Sequence, residues 1–98
     1  MPAPTFEWDP AKAAANLQKH RVSFEEAVTA FQDPLARLHA DPEHSSSENR
    51  EIFVGHSESG RLLLVAFTER EGRIRVISAR AATRRERRAY EESQKSDS

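Results

Sequence analysis

Six consecutive apolar residues, Leu62-Leu63-Leu64-Val65-Ala66-Phe67, lie between the turn-forming stretches Glu58-Ser59-Gly60 and Glu71-Gly72. Side chains of a strand alternate between two faces, so this run is apolar on both. It therefore predicts a central strand covered from both sides. Turns this short suit antiparallel hairpins, which makes Arg50–His56 and Arg73–Arg80 its neighbours. The run is also the longest apolar stretch in the chain, and six residues fall far short of the ~20 that a membrane-spanning helix needs. Ninety-eight residues serve a single core. One domain is expected over residues 1–92, followed by a disordered polar tail at 93–98.

Around these strands the helix signals are local. Asp9 is a good N-cap, and Pro10 fits the first helical position because its missing N–H loses nothing there. A helix over about 10–20 follows, thin-sided with alanine and ending in Lys19, His20 and Arg21. Ser23 with Glu26 reads as a capping box, and Phe24, Ala27, Val28 and Phe31 repeat at helical spacing until Asp33-Pro34 closes the segment. Leu35–Ala40 reads as a short strand, and Asp41–Glu48 as a polar loop. A last helix is expected from Thr83, again with a capping box to Glu86, although Ala89 and Tyr90 are almost its whole apolar surface. The fold class is α+β: two N-terminal helices, a four-stranded antiparallel sheet and a C-terminal helix.

The formal charge of −1 hides a division. Residues 1–49 carry a net −4 and residues 50–98 a net +3, and between Arg70 and Arg88 eight arginines face only two glutamates. Guanidinium presents a planar fork to phosphate oxygens and stacks on bases, so an all-arginine run points to a polyanionic partner. A basic helix kept soluble by its charges is the alternative. The chain has no cysteine, which excludes disulfides, thiolate metal centres and cysteine nucleophiles. With no basic and apolar secretory segment at the N-terminus, the cytoplasm is the expected compartment.

Phe6-Glu7-Trp8-Asp9-Pro10, Asn16-Leu17, Lys19-His20, Val22-Ser23-Phe24-Glu25-Glu26-Ala27, Phe31-x-Asp33-Pro34, Glu48-x-Arg50, Gly55, Ile77-Ser78-Ala79-Arg80, Arg85-Glu86-Arg87 and Tyr90 together resemble the BrnT toxin family. The likeness spans Phe6 to Tyr90 and rests on joint order and spacing. It implies a RelE-like fold and a metal-independent endoribonuclease toxin of a type II toxin-antitoxin system, one that inhibits translation and needs no cofactor. It further implies a BrnA-like antitoxin as partner, through which alone operator DNA would be met. Arg21 departs from the pattern, since relatives commonly have Gly after the Lys-His pair.

Metal-free RNA cleavage uses the ribose 2′-hydroxyl as nucleophile. It needs a proton acceptor, charge stabilisation at phosphorus and a proton donor for the leaving 5′-oxygen. His20 is a candidate proton-transfer group, or else a surface histidine at a helix end. Glu48 is a candidate base and Arg50 a phosphate clamp; the two can equally form a surface ion pair. Arg75 and Arg80 are the candidate charge stabilisers, but in a regular strand they point to opposite faces, Arg75 with Arg73 and Ile77, Arg80 with Ile74, Val76 and Ser78. A bulge, or Arg80 lying past the strand end, would reconcile them; otherwise one is structural. Lys19, Arg70, Arg84, Arg85 and Arg88 are candidates for general RNA affinity. Trp8 is a candidate for base stacking or for the core, and Tyr90 for proton transfer or packing. His39, Asp41, Glu43 and His44 cluster without the spacing of a helical metal pair, so no metal site is expected. A non-catalytic nucleic-acid-binding or operon-regulating module, and a protein-interaction domain with a basic surface, are the competing readings.

Overall fold

The computed structural model describes residues 5–40 and 49–95. Its elements are β1 (Thr5–Glu7), α1 (Pro10–His20), α2 (Phe24–Thr29), a 3-10 turn (Ala30–Gln32), β2 (Arg37–Ala40), β3 (Glu51–His56), β4 (Leu62–Arg70), β5 (Arg73–Ala81) and α3 (Arg84–Lys95). The strands form one sheet in the order β1-β5-β4-β3-β2. The expected four antiparallel strands are therefore five in a mixed sheet, because β1 pairs with β5 in parallel, Phe6 opposite Ile74. Three residues are too few to show a period of two, and their partner lies far along the chain.

β4 is central, as its apolar run requires. One face carries Leu63 and Val65, packed with Val22, Phe24 and Ala27 of the α1–α2 layer and with Val76 and Ala79 of β5. The other carries Leu62, which packs with Val54 and with Tyr90 of α3. Phe31 closes the helical side, stacked on Phe53 at 4.2 Å and edge-on to Phe6 and Phe67. It does so from the 3-10 turn, which tightens the end of the helix predicted to run on to Phe31.

The caps work as the local sequence dictates, with one exception. Asp9 accepts from the Ala11 N–H, and Thr83 and Glu86 cap one another reciprocally. Ser23 accepts from the Glu26 N–H, but the Glu26 carboxylate does not complete the box. Instead it accepts from Ser57, Ser59 and the Arg61 guanidinium, tying α2 to the β3–β4 hairpin. Arg21 holds the left-handed conformation at φ 59°, where a side chain costs roughly 1–2 kcal/mol. In that position its N–H reaches Leu17 O and its carbonyl accepts from Arg61. α3 continues through residues 93–95, where the sequence predicts a polar tail; Gln94 Nε2 donates to Leu35 O and fastens the helix to the segment before β2.

Candidate nucleic-acid interface

The pairing of β4 with β5 decides where the arginines point. Leu64 faces Arg80 and Ala66 faces Ser78, but Phe67 faces Val76 and Thr68 faces Arg75, so Ile77 has no partner. That extra residue is a β-bulge, and it reverses the side-chain parity of the strand. Val76 and Ala79 consequently both enter the core beneath the helices. Arg75, Ser78 and Arg80 stand together on the opposite face, with Leu64, Ala66 and Thr68. The regular alternation expected for β5 therefore fails beyond Val76, and the bulge is the arrangement that reconciles Arg75 with Arg80. Arg70 and Arg73 lie directly opposite one another on this same face. Like charges in that position repel, and the Glu7 carboxylate beside Arg73 relieves part of it.

Both central guanidinium groups are aimed by carboxylates. Arg75 Nη1 donates to Glu7 Oε2 at 3.0 Å, and Arg73 lies 3.5 Å from Glu7 Oε1. Arg80 forms a fork with Glu86, Nη1 to Oε1 and Nη2 to Oε2, each at 2.7 Å. The Arg80 guanidinium holds the Glu86 carboxyl down to about 2, and in turn the pair raises Arg80 further above its ordinary value. The side chains of Arg75 and Arg80 remain 40% and 41% exposed, which leaves donors facing solvent.

Other predicted residues are dispersed. Lys19 and His20 end α1, in the layer across the sheet from Arg75 and Arg80. Arg50 is half-buried one residue ahead of β3, while Glu48 and the cluster residues Asp41, Glu43 and His44 lie outside the described residues. Arg84, Arg85 and Arg88 are exposed on α3, and Arg70 is exposed at the β4–β5 turn. Trp8 belongs to the core, edge-on to Phe24 at 5.9 Å. The Tyr90 hydroxyl donates to Leu35 O, and the residue is buried.

Between α3 and the arginine-bearing face lies a cavity of about 510 Å³. Its sheet side includes Arg37 and His39 of β2, and its helix side includes Glu86. Sequence reasoning missed these three as site residues. The signal was present: within the predicted strand Leu35–Ala40, a period of two sets Arg37 and His39 on one face.

The fold is a small α+β domain with α1 and α2 on one sheet face and, on the other, a row of arginines beside α3, a surface whose charge suits a polyanion. The family model described as the ribonuclease toxin, BrnT, of type II toxin-antitoxin systems matches residues 8–86. The chain belongs to this BrnT family of ribonuclease toxins. In fold it resembles the Brucella abortus ribonuclease toxin BrnT, known from a 1.1 Å crystal structure, with a TM-score of 0.65 and 20% identity over 84% of this chain and 100% of that one. No curated protein matches the chain as a relative.

Proposed function

We propose that the chain is a metal-independent endoribonuclease with a RelE-like fold, acting in the cytoplasm and restrained by a BrnA-like antitoxin that alone contacts operator DNA. In this reading the ribose 2′-hydroxyl gives its proton to a base and attacks the adjacent phosphorus, the 5′-oxygen leaves and takes a proton from water to become a 5′-hydroxyl, and a 2′,3′-cyclic phosphate remains. Arg75 and Arg80 stabilise the charge that develops on the phosphoryl oxygens, from strand positions that keep their stems rigid. Arg50 adds a phosphate contact, and Arg70, Arg84, Arg85 and Arg88 gather RNA onto the face. Glu48, two residues before Arg50 in sequence, is the proposed base in place of His20, because α1 lies across the sheet from the arginines.

The observation that carries this reading is the bulge at Ile77, which gives Arg75 and Arg80 a common face. The test is cleavage of a labelled mixed-sequence RNA in the presence of EDTA, by the parent and by Arg75→Ala/Arg80→Ala. Cleavage by the parent to cyclic or 3′-phosphate ends, with loss of about a hundredfold in the variant, is expected. Undiminished cleavage by the variant overturns the site. Salt-sensitive binding by the parent with intact RNA favours the non-catalytic module instead.

A further inference from the structure

The inner stripe of α3 is chemically odd. Glu86, Ala89, Tyr90 and Ser93 have the i, i+3, i+4, i+7 spacing by which a helix ordinarily buries a row of large apolar side chains. Only Tyr90 is large. The sheet opposite is fully apolar at Ile52, Val54 and Leu64, so a small side chain at 89 and small or polar ones at 93 and 86 leave the gap between them unfilled. The cavity of about 510 Å³ is the direct result. Its volume is within the ~300–1,000 Å³ range of small-molecule sites.

From this geometry we infer that the cavity is a nucleobase pocket for single-stranded RNA, an inference that rests on the nuclease reading of the adjoining face. Three observations select a base over other occupants. The broad walls are apolar, the sheet residues on one side and Ala89 on the other, as the two faces of a ring require. The polar groups stand at the margins: Glu86, anchored by Arg80, at one end, and Arg37, which donates to Ser93 O at 3.0 Å, with exposed His39 at the other. A base carries its hydrogen-bonding groups on its edge, which matches that division. Finally, Arg80 lies directly opposite Leu64 in the sheet register and grips Glu86, so the charge-bearing row and the cavity share a wall. A phosphate at Arg75 and Arg80 puts its own or a neighbouring base at the cavity mouth. Arg37 at the β2 end of the cavity also disfavours a basic peptide there.

The test is an NMR titration of the full ¹⁵N-labelled chain with each nucleoside 3′-monophosphate, beside inorganic phosphate. Nucleotides are expected to shift the amides of Val54, Leu64, Ala89 and Ser93, whereas inorganic phosphate shifts only the Nε–H signals of the arginine row. Ala89→Trp, and Ala89→Leu should the larger side chain prevent folding, fills the space from the helix side. Either variant should weaken nucleotide binding about tenfold or more, the loss expected when a base is denied its stacking surface, and leave phosphate binding intact. Identical shifts from nucleotide and phosphate, or unchanged nucleotide binding in the filled variants, overturn the pocket. The outcome is separable from the nuclease reading. Base-dependent shifts without RNA cleavage keep the pocket and remove the enzyme, while cleavage without base-dependent shifts does the reverse.

Discussion

Arg75 and Arg80 share a face of the sheet because Ile77, between them, has no partner on β4. Were Ile77 paired in a regular strand instead, β5 would satisfy the core or the arginine row but not both. Removing Ile77 itself leaves Val76 and Ala79 two apart and Arg75, Ser78 and Arg80 in regular alternation, so both faces keep their residues. The deletion is therefore expected to fold, losing about 1 kcal/mol for a half-buried isoleucine. It also straightens the strand and shortens the span between the two guanidinium groups. RNA cleavage should fall by a hundredfold or so while RNA binding changes little, since ~1 Å of misplacement has that effect on rate. Deleting Val65 from β4, which has no spare residue, should abolish cooperative thermal unfolding. A deletion of Ile77 that cleaves normally would detach the bulge from function.

Asn16 replaces a missing strand. β1 pairs with β5 only over Arg73–Arg75, and beyond it the buried Asn16 amide takes up the backbone of Ala79, donating to its O at 2.8 Å and accepting from its N–H at 3.1 Å. The same amide donates to Val22 O at 2.9 Å, fixing the α1–α2 turn. Asn16→Ala should cost about 3 kcal/mol, since buried backbone groups lose their partners. Asn16→Asp should be worse at neutral pH, because it turns a carboxylate oxygen toward two carbonyls, and should recover part of its stability in acid. Urea denaturation at pH 7 and pH 4 checks both; equal stability of the parent and Asn16→Ala would refute the assignment.

The elements legible in the sequence are those whose causes are local. Asp9-Pro10 starts α1, Ser23 starts α2 and the Thr83–Glu86 pair starts α3, each within a few residues of its own signal. What could not be read depends on distant partners. β1 is a strand because of Ile74, and Glu26 abandons its capping role for Arg61 because a guanidinium is a stronger partner than a backbone N–H. The bulge was visible only as a conflict, two candidate arginines at positions of opposite parity. The β2 side of the cavity is hard to see in the sequence because His39 stands beside Asp41, Glu43 and His44, and only the period of two within a strand joins it to Arg37.

Gly55 illustrates a residue whose reason is packing. A Cβ there would stand 2.9 Å from Phe53 Cε1, 3.0 Å from Ala30 O and 3.1 Å from Ala36 Cβ. The carbonyl belongs to the 3-10 turn and cannot rotate away as a side chain end would. Gly55→Ala should cost about 2 kcal/mol through overpacking, read as a lowered urea midpoint at unchanged slope. Gly60, with nothing near its Cβ position but φ at +88°, should be penalised by backbone conformation alone.

Acid should loosen the molecule at two places. The hydrogen bond from Arg61, aided by Ser59 and Ser57, holds Glu26 at about 2 against an ordinary 4.5. The Arg80 fork, with the Thr83 N–H, holds Glu86 at about 2 as well. A carboxyl whose folded value is depressed contributes its full stabilisation above its unfolded value and loses it as pH falls toward the folded one. The loss is thus expected between about pH 4.5 and 2, and it should be moderate because both pairs are partly open to solvent. Glu26→Gln should remove one part of the acid limb in stability against pH, and Glu86→Gln another, with the double variant flattest. The two parts should also differ in consequence. Losing Glu26 frees α2 from the β3–β4 hairpin, whereas losing Glu86 undocks the start of α3 and releases Arg80. Glu86→Gln should therefore bind RNA more tightly at low salt and with a steeper salt dependence, while Glu26→Gln leaves RNA affinity unchanged.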